Sequence, residues 1–305
     1  MDYKDLIIFN LSTLVNKYKK SDRFKASAYS KALSQLPNTP IVSYADVSCV
    51  GGDKTKQKLK YLIEYNINLK EVDEYLNDDT YSIVDILQTI HGIGPTKAQE
   101  LHDKHGIKTI DDLKQKKELL NNIQRTGLDF YDDIQKKIPF KEMVKHEKFL
   151  TTHLKNITFK IAGSYRRKAP QSGDIDVLIT GDANKMKEVI TILQKNKYIN
   201  SEAIFAKGEV KFMGLCKLPR YKVFRRIDIL YTSPHEYPFA LLYFTGNYKF
   251  NVDMRKHALG KGYSLNEQGL KSINNDKGID TVFHTEEDIF DFLEYPYITP
   301  EQRII

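Results

Sequence analysis

The sequence has little cysteine, no tryptophan and no long apolar run. Its two cysteines among 305 residues are too few for a disulfide framework or a cysteine-rich zinc site. No apolar stretch approaches the roughly 18 residues needed to cross a membrane, and the first residues lack the basic-then-apolar order of a secretion signal. We therefore expect an intracellular protein, nuclear or cytoplasmic, with no membrane association. Without tryptophan, aromatic stacking on a ligand falls to tyrosine and phenylalanine.

Basic residues outnumber acidic ones and are grouped along the chain. The 47 lysines and arginines, against 40 aspartates and glutamates, give a formal net charge of +7. One group of four lysines contains no acidic residue: Lys54, Lys56, Lys58 and Lys60. Such a group can neutralise nucleic-acid phosphates by releasing counterions, but it is also typical of a solvated helix face. Charge alone leaves both interpretations open.

The first part of the chain has a helical pattern, and the second part is mixed. Apolar residues recur at helical spacing between residues 5 and 36, and on both sides of glycine turns near residues 51 and 92. After about residue 156, β-branched segments predict strands at 157–162, 175–180 and 223–231, with a helix at 186–194. The sequence therefore predicts an all-helical part followed by an α/β part.

The sequence Gly92-Ile93-Gly94-Pro95 lies between two helical patterns and predicts a sharp turn. Free backbone N–H groups at the start of the following helix can hold a phosphate oxygen. The pattern is typical of a helix-hairpin-helix clamp on a DNA backbone, with Gly51 and Lys54 in a weaker first copy. An ordinary helix–helix turn is the alternative.

Acidic residues interrupt two of the predicted strands. Side chains alternate along a strand, so Asp174 and Asp176 point to one side. Asp228 repeats the pattern in the third predicted strand. Carboxylates gathered in this way repel one another unless a cation lies between them, and hard oxygen ligands suit Mg²⁺. Three of them on neighbouring strands can hold two metal ions for phosphoryl transfer; a solvent-facing strand edge is the alternative.

A Gly-Ser turn accompanies these aspartates. Gly163 and Ser164 follow a predicted strand about ten residues before Asp174. The turn offers a hydroxyl and backbone N–H groups to a triphosphate, and Arg167 can add a charged fork. The combination favours a nucleotide-binding metal site over exposed edge residues.

With these motifs, the chain resembles the family X DNA polymerases, most closely the beta type, over nearly its whole length. The blocks that carry the resemblance are residues 163–180, 207–214, 225–229, 242–246 and 265–267. The resemblance implies a multidomain α plus α/β fold. Its expected parts are a helical lyase-like domain with helix-hairpin-helix motifs (1–84), a helix-hairpin-helix DNA-binding subdomain (85–142), a nucleotidyltransferase palm with a mixed β-sheet (143–232) and a nucleotide-selecting C-terminal subdomain (233–305).

The resemblance also assigns roles to residues of the second half. Asp174, Asp176 and Asp228 would bind two Mg²⁺ ions, with Mn²⁺ as a substitute, and Asp228 would help to deprotonate the primer 3′-hydroxyl. The nucleotide would be held by Lys137, Gly163, Ser164, Arg167, Ser172, Gly173, Tyr243, Phe244, Gly246 and Asn251. The DNA would be held by Lys25, Tyr29, Lys54, Gly92, Gly94, Arg226 and Arg255.

The N-terminal part resembles a 5′-deoxyribose-phosphate lyase domain, which implies a lysine that forms a Schiff base. Neighbouring cations favour the neutral form of a lysine. The resemblance makes Lys58 the nucleophile, with Lys56 or Lys60 as alternatives if the register differs; lysines that only bind DNA are a further alternative. Na⁺ or K⁺ at the two hairpins would be held by the carbonyls of Gln88, Ile90, Ile93, Ala45, Val47 and Val50.

The function implied is a DNA-templated DNA polymerase that fills short gaps in base excision repair, with lyase activity. Its expected partners are gapped or nicked DNA and deoxynucleoside triphosphates, and we expect a monomer. A template-independent nucleotidyltransferase and a non-catalytic DNA-bridging scaffold are the alternatives. Leu230 departs from the family pattern, because the beta type has an arginine there that pairs with an active-site carboxylate.

Overall fold

The computed structural model describes residues 2–19, 21–37, 39–76, 79–182, 184–274 and 278–303. The chain forms two compact units: the first comprises Met1–Thr89 and Ile93–Leu119, and the second comprises Ile90–Gly92 and Leu120–Ile305. The four-part division expected from the sequence is finer than this partition, and its boundaries stay a prediction. Within the described ranges, no helix is both long and apolar enough to cross a membrane.

The first unit is built from helices, as the sequence predicts. They are α1 (Lys4–Tyr18), α2 (Arg23–Ser34), α3 (Asp53–Tyr65), α4 (Lys70–Leu76), α5 (Asp79–Leu87), α6 (Pro95–His105) and α7 (Ile110–Gln115). The apolar residues that recur along α1, including Ile7, Leu11 and Leu14, are fully buried. They pack against α2 and α3 in one core, which burial of apolar surface stabilises.

Buried polar groups and glycine turns fix the helix ends of this unit. The Asn10 side chain donates a hydrogen bond to Asn68 Oδ1 (3.0 Å) and accepts one from the backbone N–H of Leu69 (2.9 Å). These two bonds connect α1 to the start of α4. Pro95 begins α6, and Gly106 ends it at a φ of +64°, where only glycine is unstrained. The predicted sharp turn between α5 and α6 is confirmed, with Gly92 at a φ of +86°.

The second unit combines helices with three sheets among the described residues. In chain order its elements are α8 (Asn122–Asp129), α9 (Tyr131–Ile134), β1 (Ile138–Pro139), α10 (Phe140–His153), β2 (Thr158–Ile161), α11 (Gly163–Arg166), β3 (Gln171–Ser172), β4 (Ile175–Thr180), α12 (Lys185–Lys195), β5 (Ile199–Lys207), β6 (Lys211–Cys216), β7 (Arg225–Thr232), α13 (Tyr237–Thr245), α14 (Tyr248–Gly260), β8 (Tyr263–Asn266), β9 (Gly269–Ser272) and α15 (Glu286–Phe292).

The central sheet is mixed and has the strand order β2-β4-β7-β6-β5. β4 and β7 are parallel, and the other pairs are antiparallel. Alternate residues of β4 and β7 are buried in one core with α10 and α12: Ile175, Val177, Ile179, Ile227 and Ile229. The predicted helix and three strands are confirmed to within two residues at each end.

Strands β5 and β6 were not anticipated from the sequence. Ser201 and Glu202 lie exposed within β5, and the pairing of β5 with β6 shifts register, so the apolar alternation is broken. β5 is the edge strand of the sheet, and its exposed residues lie on the face that is open to solvent.

The C-terminal part of this unit surrounds a small aromatic core. Phe239, Phe250 and Phe290 are buried there with residues of α15. Arg303 is also buried: its guanidinium lies 4.7 Å from the centre of the Phe250 ring and pairs with Glu286 at 2.8 Å. A buried charge is tolerated when it is paired in this way.

Candidate active site

The three aspartates predicted as metal ligands meet on the central sheet. Asp176 and Asp228 are directly paired in the register of the parallel strands β4 and β7. Asp174 lies one residue before β4, on the same side of the strand as Asp176. One carboxylate oxygen from each residue lies within 4.8 Å of the other two. The geometry therefore gathers three oxygen donors at one point, as expected from the sequence.

The electrostatics of this trio favour a bound cation. Burial, together with the charges of Asp174 and Asp228, raises the pKa of Asp176 to about 7. Burial also raises the pKa of Asp228 above its ordinary value. The Oδ1 atom of Asp228 is buried and has no hydrogen-bond partner among the described groups. Oxygen donors that are crowded and unpaired fit a hard divalent ion such as Mg²⁺.

Arg226 lies inside this cluster. Its guanidinium forms an ion pair with Asp174. The sequence assigned Arg226 to DNA; in the structure its charged group faces the carboxylates and partly offsets their repulsion. Its contact to DNA stays a prediction.

Gly163 packs so closely against Asp176 that no side chain fits at this position. It has a φ of +57°, and a side chain built on it would approach Asp176 Oδ2 closer than 3.0 Å. The left-handed backbone and the lack of space both require glycine here. The Gly-Ser turn is thus fitted directly against a metal-ligand candidate.

The remaining residues of the turn form a small polar recess. Ser164 Oγ donates to Ser172 Oγ at 2.9 Å. β1 pairs with β3 so that Ile138 stands opposite Ser172, which brings the neighbouring Lys137 to this recess. Lys137 Nζ lies 3.6 Å from the point where a Cβ on Gly173 would stand. The Ser164 and Ser172 hydroxyls are therefore bonded to each other, and Lys137 lies beside Gly173. Their binding of a triphosphate stays a prediction.

A buried ion pair lies next to Lys137 and contacts its backbone carbonyl. Arg225 makes two hydrogen bonds of 2.8 Å to the Glu142 carboxylate and donates to the backbone carbonyls of Lys136 (2.8 Å) and Lys137 (3.4 Å). Although burial raises the pKa of Glu142, the hydrogen bonds and charge of Arg225 hold it below its ordinary value. Sequence reasoning missed this pair; the only signal was a second arginine at the start of an apolar strand.

Two adjacent arginines join the turn to the C-terminal helices. Arg166 donates to Thr245 Oγ1 at 2.6 Å and pairs with Glu286. Arg167 donates to the backbone carbonyl of Thr245. Arg167, predicted to hold the triphosphate, therefore lies at the junction of α11 and α13 and uses one N–H group there.

The predicted sugar and base contacts gather at the start of α14. The Asn251 side chain donates to the Tyr243 carbonyl at 2.8 Å. A Cβ on Gly246, whose φ is +62°, would lie 3.5 Å from Arg167 Nη1 and 3.9 Å from Asn251 Nδ2. Arg255 lies with its guanidinium 4.8 Å from the centre of the Tyr243 ring. Phe244 packs edge-on against Tyr243 at 5.1 Å.

In the first unit, the predicted lyase residues form a second polar cluster. Lys58 makes an ion pair with Glu71, and Tyr18 donates to the same carboxylate at 3.0 Å. Lys25 Nζ lies 4.7 Å from the centre of the Tyr18 ring. Although burial raises the pKa of Glu71, the bond from Lys58 holds it below its ordinary value. Burial raises the pKa of Tyr29 to about 12, so its hydroxyl stays protonated.

This cluster differs from the expected setting of Lys58. The sequence suggested that neighbouring lysines surround it, but Lys54 and Lys60 are exposed and Glu71 is its direct partner. Glu71 is distant in sequence and gave no signal of this pairing. The ion pair must open before Lys58 can act as a nucleophile.

Among the described residues, no contact shows that the carbonyls predicted to bind a monovalent cation converge on one point. The carbonyls of Ala45 and Val47 accept from the backbone of Ser48 (3.5 Å) and Val50 (3.0 Å) within their own turn. Gln88 and Ile93 belong to the first unit and Ile90 to the second. Both cation sites stay predictions.

Domain models of known polymerases match the chain in order. The fingers domain of DNA polymerase lambda matches residues 85–135, the DNA polymerase beta palm matches 137–234, and the DNA polymerase beta thumb matches 240–304. The aspartate trio and the Gly-Ser turn fall within the palm match, and the start of α14 falls within the thumb match.

Two curated relatives extend the similarity. The chain is 29% identical over 260 residues to DNA polymerase lambda of Arabidopsis thaliana, covering 77% of the chain and 49% of that protein. It is 27% identical over 328 residues to DNA polymerase lambda of Rattus norvegicus, covering 99% of the chain and 56% of that protein. The chain thus spans about half the length of these relatives.

Proposed function

Because the chain belongs to family X of the DNA polymerases, we propose that it is a DNA-templated DNA polymerase that fills short gaps in base excision repair. The observation that carries the proposal is the aspartate trio, whose oxygens lie within 4.8 Å of one another beside the Gly-Ser turn. The substrates are gapped or nicked DNA and deoxynucleoside triphosphates. The protein acts as a monomer inside the cell, in the nucleus or cytoplasm.

The trio would hold two Mg²⁺ ions, with Mn²⁺ as a substitute. Its donors are hard oxygens, and the unpaired Oδ1 of Asp228 leaves one of them free to bind. Two such ions supply positive charge that activates an attacking hydroxyl and stabilises the leaving pyrophosphate. Asp176 must lose its proton on metal binding, because its pKa lies near 7 without the ions.

The chain's own groups bind and orient the reactants. Asp228 accepts the proton of the primer 3′-hydroxyl, a role that its raised pKa suits. Ser164, Arg167 and Lys137 hold the triphosphate. The backbone at Gly246 closes the sugar side, where Tyr243 and Phe244 disfavour ribose. Asn251 contacts the incoming base and Arg255 the template strand.

Gap filling on DNA with a one-nucleotide gap and Mg²⁺ tests this function. We expect template-directed incorporation by the wild-type chain and none by Asp228→Ala. Asp182→Ala is a matched control, because Asp182 is an exposed aspartate in the loop after β4. Its activity should equal that of the wild type.

Three outcomes would contradict the proposal. Activity retained by Asp228→Ala would remove the role of the trio. Incorporation that ignores the template base would favour a template-independent nucleotidyltransferase, and binding without incorporation would favour a scaffold.

The first unit supports a second activity, removal of a 5′-deoxyribose phosphate through a Schiff base on Lys58. The supporting observation is the cluster of Lys58, Tyr18 and Lys25, with Lys58 only 24% exposed. Lys54, Tyr29 and Lys25 contact the 5′-phosphate side, and the glycine turns bind the DNA backbone.

Borohydride trapping on incised abasic DNA tests this activity. We expect a covalent adduct with the wild-type chain and none with Lys58→Ala. Lys60→Ala lies on the exposed side of the same helix and should trap normally. Loss of trapping in Lys60→Ala but not in Lys58→Ala would identify Lys60 as the nucleophile instead.

A further inference from the structure

Tyr248 is an exposed aromatic side chain beside the nucleotide site, and no role assigned so far uses it. It is 85% exposed, whereas the other aromatic residue of its helix, Phe250, is buried at 8%. Exposure of a large ring costs stability that a structural role would recover by burial. The ring is therefore free to contact a ligand, and its position on the helix decides which one.

The helix places Tyr248 on the face that borders the site. At 3.6 residues per turn, Tyr248, Asn251 and Arg255 lie within about 60° of one another around α14. Phe250, Met254 and Ala258 form the buried face on one side of this strip. Asn251 and Arg255 both contact Tyr243, so the strip faces the predicted sugar and base pocket.

The backbone of Tyr248 lies close to two residues predicted to bind the nucleotide. A Cβ on Gly246 would lie 3.7 Å from Tyr248 N, 3.5 Å from Arg167 Nη1 and 3.9 Å from Asn251 Nδ2. The residue therefore stands within one side-chain length of both a triphosphate-binding arginine and a base-binding asparagine.

We propose that the ring of Tyr248 stacks on the base of the incoming deoxynucleoside triphosphate. This inference rests on the proposed polymerase function and adds a specificity-determining residue to it. Stacking on an aromatic face tolerates every base, but a larger ring system gains more. Purine triphosphates therefore gain more than pyrimidine triphosphates from Tyr248.

Steady-state gap filling gives the first test. Tyr248→Ala should raise KM for dATP about tenfold, with a smaller rise for dTTP and a kcat within about twofold of wild type. Tyr248→Phe keeps the ring and should restore the wild-type KM. Leu259→Ala is the control, because Leu259 is a 60% exposed apolar residue about 16 Å further along the same helix.

Because the chain has no tryptophan, a direct binding signal is also accessible. Tyr248→Trp introduces a single tryptophan, whose selectively excited emission should change when dATP and Mg²⁺ are added to gapped DNA with a dideoxy-terminated primer. Leu259→Trp should give no change under the same conditions.

The outcomes distinguish failure of the polymerase function from failure of the stacking role of Tyr248. Absence of gap filling by the wild type would overturn the proposed function itself. Normal wild-type filling with an unchanged KM in Tyr248→Ala, or a silent Tyr248→Trp at saturating dATP, would overturn the stacking role alone.

Discussion

The carboxylate of Asp176 occupies the space that a side chain on Gly163 would need. The two residues come from different elements, α11 and β4, and the φ of Gly163 is +57°. The turn that would receive the triphosphate therefore packs directly against Asp176 Oδ2, on the strand that would hold the metal. Any group added to Gly163 must move Asp176 or the turn.

Gly163→Ala should therefore lower gap-filling activity by at least tenfold, through displacement of Asp176 and a strained left-handed backbone. Steady-state kinetics measure the loss. Gly260→Ala is the matched control, because no atom lies within 4 Å of the added carbon there. Equal activity of the two variants would show that the turn can move without cost.

The pKa of Asp176 predicts how Mg²⁺ stabilises the protein at different pH. Without metal, burial raises this pKa from 3.8 to about 7, so the charged form is disfavoured by folding. Stability from the protonated form is then lost as pH rises toward 7. Apparent Mg²⁺ affinity should strengthen about tenfold between pH 6 and pH 8, because fewer protons must be displaced.

Thermal melts with EDTA and with Mg²⁺ check this expectation. The rise in Tm caused by Mg²⁺ should be larger at pH 8 than at pH 6. Asp176→Asn has no proton to displace at this position, and its smaller response should vary less with pH than that of the wild type. A metal response in the wild type that is equal at both pH values would contradict the prediction.

The Arg225–Glu142 pair should affect both stability and nucleotide binding. Arg225→Lys keeps the charge but loses the fork and the bonds to the Lys136 and Lys137 carbonyls. We expect a loss of about 1–3 kcal/mol in the free energy of unfolding and a several-fold higher KM for the nucleotide, because Lys137 loses its support. Urea unfolding and steady-state kinetics measure the two effects.

Lys137→Ala separates these effects. It should raise KM by a similar factor while leaving the free energy of unfolding nearly unchanged. If Arg225→Lys destabilises the chain but leaves KM at the wild-type value, Arg225 has no part in positioning Lys137.

The Lys58–Glu71 pair should make the first unit sensitive to acid. The pKa of Glu71 is held below its ordinary value of 4.5, so the stabilising contribution is present above that value and is lost as pH falls through the lower folded pKa. Circular dichroism during urea unfolding at pH 7 and pH 3 measures the loss. Glu71→Gln should flatten this dependence, whereas Glu74→Gln, on an exposed residue, should keep it.

The sequence predicted the residues whose chemistry follows from local spacing. Asp174 and Asp176 alternate with apolar residues, and a strand places such residues on one side. Gly163 and Ser164 are marked by their position after a strand. These signals operate over a few residues and were sufficient to predict the trio and its turn.

The remaining contacts depend on residues far apart in the chain. Arg225 meets Glu142 across 83 positions. Lys58 meets Glu71 across 13 positions, because α3 and α4 both pack against α1. Neither pairing has a sequence pattern, because any exposed glutamate would look the same. Strand β5 was missed for a related reason: it is an edge strand, and its exposed Ser201 and Glu202 mask the apolar alternation. Strand β6, which lies between β7 and β5, was missed with it.

Glu286 carries a practical consequence for anyone who handles this protein. It bonds to Arg166 beside the Gly-Ser turn and to Arg303 near the other end of the second unit. Removing the residues from Arg303 onward would take away one of the two ion-pair partners of Glu286. The remaining partner, Arg166, would then be held less firmly.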